Sequence, residues 1–200
     1  MPPTVSPEEL KAEMRATALK RRDALSPEVR AAAAEALAAQ RFPIGFKPGA
    51  IISAYSPLRS EINPVPLMRK LANAGARLAL PVVVGRGKPL ILREWAFGQP
   101  LASGVWGIRE PLPDAPEVWP DIVIAPLAAF DRKGHRIGYG AGYYDLTIHR
   151  LRVLNSAVLT VGLAYHAQHV AVVPITPRDA RLDYILTERE VIDCRPRKPA

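Results

Sequence analysis

The segment from Phe130 to Asp145 constrains this chain most: Phe-Asp-Arg-Lys-Gly-His-Arg-Ile-Gly-Tyr-Gly-Ala-Gly-Tyr-Tyr-Asp. An apolar run, Ile122 to Ala125, precedes it and reads as a buried strand, and a helical pattern, Tyr143 to Leu154, follows. Ser156 to Leu163 is the next apolar run. Strand, loop, helix, strand is the unit from which parallel sheets are built. Gly138, Gly140 and Gly142 alternate with larger residues, and a run of free backbone N–H groups at a helix start attracts anions. Arg132, Lys133 and Arg136 add positive charge upstream, and Asp145 adds a carboxylate downstream. The set suits a nucleotide phosphate chain with a metal ion. It also suits a flexible basic surface loop, and glycines alone do not separate the two.

The rest of the chain repeats the alternation. Ser6-Pro7-Glu8-Glu9 is a helix start, with serine as cap, proline at the first position and a glutamate three residues on. A helix to about Asp23 is expected, and Ser26-Pro27-Glu28 starts an alanine-rich second one to about Gln40. Lys11 and Arg15 share a face of the first helix, where a solvated basic stripe is the common reading. Ala50 to Tyr55 reads as a strand, Ser56 to Asn63 as a loop with Arg59 and Glu61, and Pro64 to Asn73 as a helix. Arg77 to Val84 and Leu90 to Trp95 read as strands, and Phe97 to Pro120 as irregular. After a loop from Tyr165 to Asp179, Leu182 to Leu186 is a last buried strand, and Val191-Ile192 adds an edge pairing.

Composition narrows the function classes. No apolar run reaches the length of a membrane span, and Met1 to Leu10 lacks a secretory pattern, so a cytoplasmic protein is expected. The single cysteine, Cys194, excludes an intrachain disulfide. His166 and His169 lack a third ligand of zinc spacing and read as loop histidines. A net charge of +8 favours anionic partners. The Walker loop is absent, the dinucleotide fingerprint fails because its third glycine would fall on Tyr143, and no kinase or serine-hydrolase motif is present.

The stretch Gly134 to Asp145 closely resembles the signature of the 5-formyltetrahydrofolate cyclo-ligases, also called 5,10-methenyltetrahydrofolate synthetases. Lys11 and Arg15 resemble the family's N-terminal Lys-x-x-Leu-Arg, with Met14 for leucine, and Glu61 sits where the family carries a folate-contacting glutamate. Trp106-Gly-Ile-Arg-Glu-Pro111 resembles its Gly-Ile-x-Glu-Pro segment. Val161 to Gln168, Pro174, Asp179 and Leu182 to Glu188 match its C-terminal pattern in order. One departure is Leu146, where the family usually has arginine, so a second basic phosphate contact would come from elsewhere.

The resemblance implies an α/β fold: a single three-layer α/β/α domain over residues 1–194, with a mostly parallel central sheet, an N-terminal helical pair and a disordered basic tail at 195–200. It implies ATP and Mg²⁺, with 5-formyltetrahydrofolate as substrate and 5,10-methenyltetrahydrofolate, ADP and phosphate as products. Lys11, Arg15, Arg136, Gly138, Tyr139, Gly140, Ala141, Gly142 and Tyr143 would hold ATP, with Arg136 and Tyr144 at the reacting groups. Asp145 and Asp179 would hold the metal, although a solvated turn carboxylate also suits Asp179. Glu61, Trp106, Tyr143 and Tyr144 would contact the folate, with plain core packing as the other reading of Trp106. A monomer is expected, with no membrane and no nucleic-acid partner. The rivals are a basic RNA-binding module, which the scarce aromatics disfavour, and a family relative without ligase activity.

Overall fold

The computed structural model describes residues 6–196 and begins with the two helices that the Ser-Pro-Glu signals mark. In α1 (Pro7–Asp23), Ser6 Oγ accepts from the Glu9 N–H while the Glu9 carboxylate accepts from the Ser6 N–H, a complete capping box. Ser26 caps α2 (Pro27–Ala39). Then come β1 (Ile51–Ser53), α3 (Val65–Asn73), β2 (Arg77–Val82) and β3 (Ile91–Glu94). The hairpin β4 (Leu101–Ser103) and β5 (Arg109–Pro111) follows, then β6 (Ile122–Pro126) and a second hairpin, β7 (Ala129–Phe130) and β8 (Arg136–Ile137). The chain closes with α4 (Tyr143–Leu154), β9 (Leu159–Leu163), β10 (Tyr184–Leu186) and β11 (Val191–Asp193).

Seven strands form the central sheet in the order β11-β10-β9-β6-β1-β2-β3. The inner five are parallel, and β11 and β3 pair antiparallel at the two edges. Alternation along each strand sorts the core into two layers. Ile122, Ile124, Val161 and Leu163 face α2 and α3, meeting Leu37, Leu67 and Leu71. Val123, Ile185 and Ile192 face the other way and meet Ile148 and Leu151 of α4. Each of these large side chains contributes about 1.5–3 kcal/mol on burial. Helices on both faces of a mostly parallel sheet are the expected three layers.

The Leu90 strand joins the sheet antiparallel, because a parallel return needs a longer crossover than the link of residues 83–90 supplies. Two local expectations change. The Phe97–Pro120 stretch is not irregular throughout; it carries β4 and β5. The first part of the glycine-rich segment is the β7–β8 hairpin, whose turn is shaped by buried Asp131. Asp131 accepts from the Lys133 and His135 N–H groups at 2.9 and 3.1 Å. Of the expected tail, Arg195 pairs with Asp193 and lies over the Tyr184 ring, while residues 197–200 lie outside the described residues. Among the described residues, no helix is long and apolar enough to cross a membrane.

Candidate active site

The sheet topology fixes where a ligand can bind. From β1 the chain winds to β2 on one side, and from β6 it winds to β9 on the other, so the order reverses between β1 and β6. At such a switch point the loops leaving the carboxyl ends of the strands part and open a crevice. Here those loops are residues 54–64, carrying Glu61, and residues 127–142, carrying the glycines.

α1 lies along the glycine-rich loop and meets it at helical spacing. Lys11 pairs with Asp179, and Arg15 Nε donates to the Gly138 carbonyl oxygen at 2.6 Å. Ala18 is fully buried against Ala129 and Ile137. Arg22, also buried, donates from Nε to Ser60 Oγ at 2.9 Å and from Nη1 to the Tyr139 hydroxyl at 2.5 Å. Lys11, Arg15, Ala18 and Arg22 therefore form one stripe, and it is a packed face rather than a solvated one. Burial pushes the Arg15 guanidinium down. Burial pushes Asp179 up, but hydrogen bonds from Lys11 and Thr176 outweigh it and leave the carboxyl below the usual range.

Arg136 is buried on β8, and its Nη2 donates to Asp145 Oδ1 at 2.7 Å. That oxygen also accepts from the Ala180 N–H at 3.0 Å, which brings Asp145 beside the residue that follows Asp179. The guanidinium stands 6.0 Å from the centre of the Tyr144 ring, and its Nε is buried with no hydrogen-bond partner. A buried donor without a partner is costly unless a ligand satisfies it. Nearby, α4 begins at Gly142, whose φ of +70° brings the chain into the helix left-handed, and no side chain caps the first turn. Asp145 joins the two, since it lies in the first turn of α4 and pairs with Arg136; an uncapped helix start and a guanidinium both suit an anion such as phosphate.

Across the crevice, burial pushes the Glu61 carboxyl up, against the Leu58 N–H that donates to Oε2 at 2.7 Å and the nearby Tyr139 hydroxyl and Arg22 charge. Tyr55, Tyr139 and Tyr144 all feel its charge; burial first, and Glu61 second, push each phenol up. The site is thus a carboxylate among aromatic rings, with the cations Lys11, Arg15 and Arg136 along the glycine-rich loop.

A family model for the 5-formyltetrahydrofolate cyclo-ligase family matches residues 7–188. The chain belongs to that family. The 5-formyltetrahydrofolate cyclo-ligase of Mycolicibacterium smegmatis is 32% identical over 191 residues, covering 91% of this chain and 95% of its own. That of Escherichia coli K12 is 31% identical over 146 residues, 70% of this chain and 79% of its own. Among solved structures, the 5,10-methenyltetrahydrofolate synthetase of Aquifex aeolicus superposes with a TM-score of 0.78 at 30% identity, covering 96% of each chain. The synthetase from Mycoplasma pneumoniae, at 22% identity and a TM-score of 0.67, shares the fold.

Within this cyclo-ligase family member, the fold gathers most of the residues that the sequence singled out: Lys11, Arg15, Glu61, Arg136, Gly138 to Asp145, and Asp179. Arg132 stands apart, forked to Glu190 at 2.8 Å on the surface, whereas Arg136 is buried against Asp145. Trp106 is not core. It sits 63% exposed at the tip of the β4–β5 hairpin with φ +57°, its ring 6.1 Å from that of Tyr143. Leu146 is exposed on α4. Arg22 was missed by sequence reasoning. Its signal was the spacing, since it continues the Lys11–Arg15 face by two further turns, whereas its neighbour Arg21 does not.

Proposed function

We propose that this cyclo-ligase family member uses ATP to close 5-formyltetrahydrofolate to 5,10-methenyltetrahydrofolate, releasing ADP and phosphate. The observation that carries the reading is the Arg136–Asp145 pair, with its buried, unpartnered Nε, at the uncapped start of α4, on the loop that flanks the switch point opposite the Glu61 loop. A formyl oxygen on nitrogen is a poor leaving group. Attack of that oxygen on the γ-phosphorus expels ADP and makes it part of a phosphate ester. N10 then attacks the formyl carbon, loses its proton, and phosphate departs with the oxygen. Neither step needs a protein nucleophile; both need charge neutralisation and alignment.

The residues have matching parts to play. Arg136, Lys11 and Arg15 neutralise the phosphates, and the N–H groups from Gly138 through Tyr143 wrap them. Asp145 holds Arg136 in place through one oxygen, leaving Oδ2 free, and Asp179 likewise engages Lys11 through Oδ2. Among the described residues no cluster of three or more His, Cys, Asp and Glu would cage a metal. Mg²⁺ bound through phosphate oxygens needs only one or two carboxylates, so Asp145 and Asp179 fit it. When bound, it supplies charge neutralisation of the phosphate oxygens. Tyr144, against Arg136, lines the reacting centre, and Glu61 takes the paired N–H donors of the pterin, with Trp106 and Tyr143 over it.

The test is direct. Purified protein with ATP, Mg²⁺ and 5-formyltetrahydrofolate should generate the near-ultraviolet absorbance of the methenyl product, and no product would refute the reading. A pH dependence also follows. The ionised form of Glu61 is the one that accepts two N–H donors, and burial raises its pKa. The folate KM should therefore rise on acidification from a pH higher than an ordinary glutamate would require. Glu61→Gln should show a higher KM that no longer follows pH in that window. A wild-type KM that stays flat down to the ordinary carboxylate range would remove Glu61 from pterin binding.

A further inference from the structure

Beside Glu61 a cavity of about 290 Å³ opens to solvent, and two arginines line it: Arg30 from the first turn of α2 and Arg59 from the loop after β1. Neither makes an ion pair with another described residue. The lining holds one carboxylate, Glu61, and the cation that bears on Glu61 is Arg22 rather than either of these. Arg30 bears instead on the Tyr165 phenol in the same wall and on the exposed Glu28 carboxylate.

Arg59 carries a second mark. Its φ is +55°, in the left-handed region where a turn favours glycine. The residues around it are pinned. The Leu58 N–H is held by Glu61 Oε2, and Ser60 Oγ is held between Arg22 and Asp23. A bulky cation kept in a strained turn by its neighbours, at the rim of a cavity, is a pattern that binding sites show.

We propose that Arg30 and Arg59 clamp the carboxylates of the glutamyl end of the folate. The inference rests on the proposed function, which puts the pterin on Glu61. A folate has N–H donors at its pterin end and carboxylates at the other. Glu61 repels carboxylates and accepts donors, while a guanidinium fork does the reverse. With the pterin inward, the tail crosses this cavity and meets the two arginines. The clamp therefore fixes which way round the substrate lies.

The experiment compares 5-formyltetrahydrofolate with 5-formyltetrahydropteroate, which has the same reacting centre but no glutamate. The wild-type KM should be about tenfold or more higher for the truncated substrate, the scale of a lost charge-assisted contact. Arg30→Ala combined with Arg59→Gly should raise the KM for the glutamylated substrate to meet that of the pteroate. The penalty should fall on that substrate alone, with the pteroate and ATP KM values unmoved. Glycine at residue 59 relieves the turn, so the melting temperature of Arg59→Gly should not fall. Equal losses on both substrates, a shift in the ATP KM, or a wild type that does not discriminate would overturn the clamp. If the wild type turns over neither substrate, the proposed function fails, and calorimetry with 4-aminobenzoyl-glutamate decides the clamp separately. Binding that the double substitution abolishes supports it, and absence of binding to wild type rejects it.

Discussion

Replacing Arg136 with alanine should lower kcat/KM for ATP by about a hundredfold, or about 2.7 kcal/mol of lost transition-state stabilisation. The estimate follows from what the side chain holds and what it leaves open. Its Nη2 is committed to Asp145, and its Nε is a buried donor with no partner. In the proposed reaction, a phosphoryl oxygen that gains charge during transfer would satisfy that donor in a water-poor place, where a fixed cation is worth most. Folding is the competing explanation for a loss, because removing Arg136 leaves the partly buried Asp145 with the Ala180 N–H as its remaining partner. Arg136→Lys separates the two. Lysine keeps the charge beside Asp145 but lacks the planar fork that holds separate Nη and Nε donors in fixed directions. It should melt near the wild type while losing most of the rate. Steady-state kinetics with ATP varied, beside thermal melts, check this, and kinetics of the alanine variant within twofold of wild type would take Arg136 out of the phosphate site.

Sequence made the elements readable where local chemistry is self-sufficient. The two Ser-Pro-Glu starts specify helix ends through their own caps, and the apolar runs that begin at Ile122 and Val158 are largely buried. Strand direction is different in kind. The Leu90–Trp95 pattern is the same whether the strand runs parallel or antiparallel, and only the short link before it carries the information. The β4–β5 hairpin was hidden because prolines and glycines on either side masked its short strands.

The site was legible in its residue types and illegible in its pairings. Lys11 and Arg15 are visible as a basic pair, but their partners Asp179 and Gly138 are 168 and 123 residues away in sequence. Arg22 shows the limit more sharply. Three cations in a row, Lys20, Arg21 and Arg22, read as a helix end facing solvent and favoured by the dipole. The structure turns one of them inward, where Ser60 and Tyr139 satisfy it. No local pattern says that a guanidinium will find those partners. Trp106 is the converse: core packing was one of its two readings, and the structure stands it at a hairpin tip, near Tyr143.

The glycines of the signature also divide into two kinds, and substitution should separate them. Gly134→Ala should cost roughly 3–5 kcal/mol of stability, combining a left-handed backbone penalty with overpacking. Gly134 has φ +86°, and an added Cβ would stand 2.8 Å from Cys194 Cβ and well inside contact of the Leu182 carbonyl oxygen. The backbone there cannot yield cheaply, because the Leu182 N–H donates to the Gly134 carbonyl at 2.9 Å and docks the hairpin onto the strand end. A melting temperature lower by roughly 10 °C is the expected reading for a chain of this size. Arg136 sits two residues on, so the surviving folded protein should also lose turnover. Gly142→Ala meets no atom within 4 Å and bears only the φ penalty at +70°, about 1–2 kcal/mol. Its loss should therefore appear chiefly in the ATP KM, through a displaced start of α4. If Gly134→Ala melts within about 2 °C of wild type, the hairpin is not anchored as the geometry requires, and the placement of Arg136 must depend on α1 and Asp145 instead.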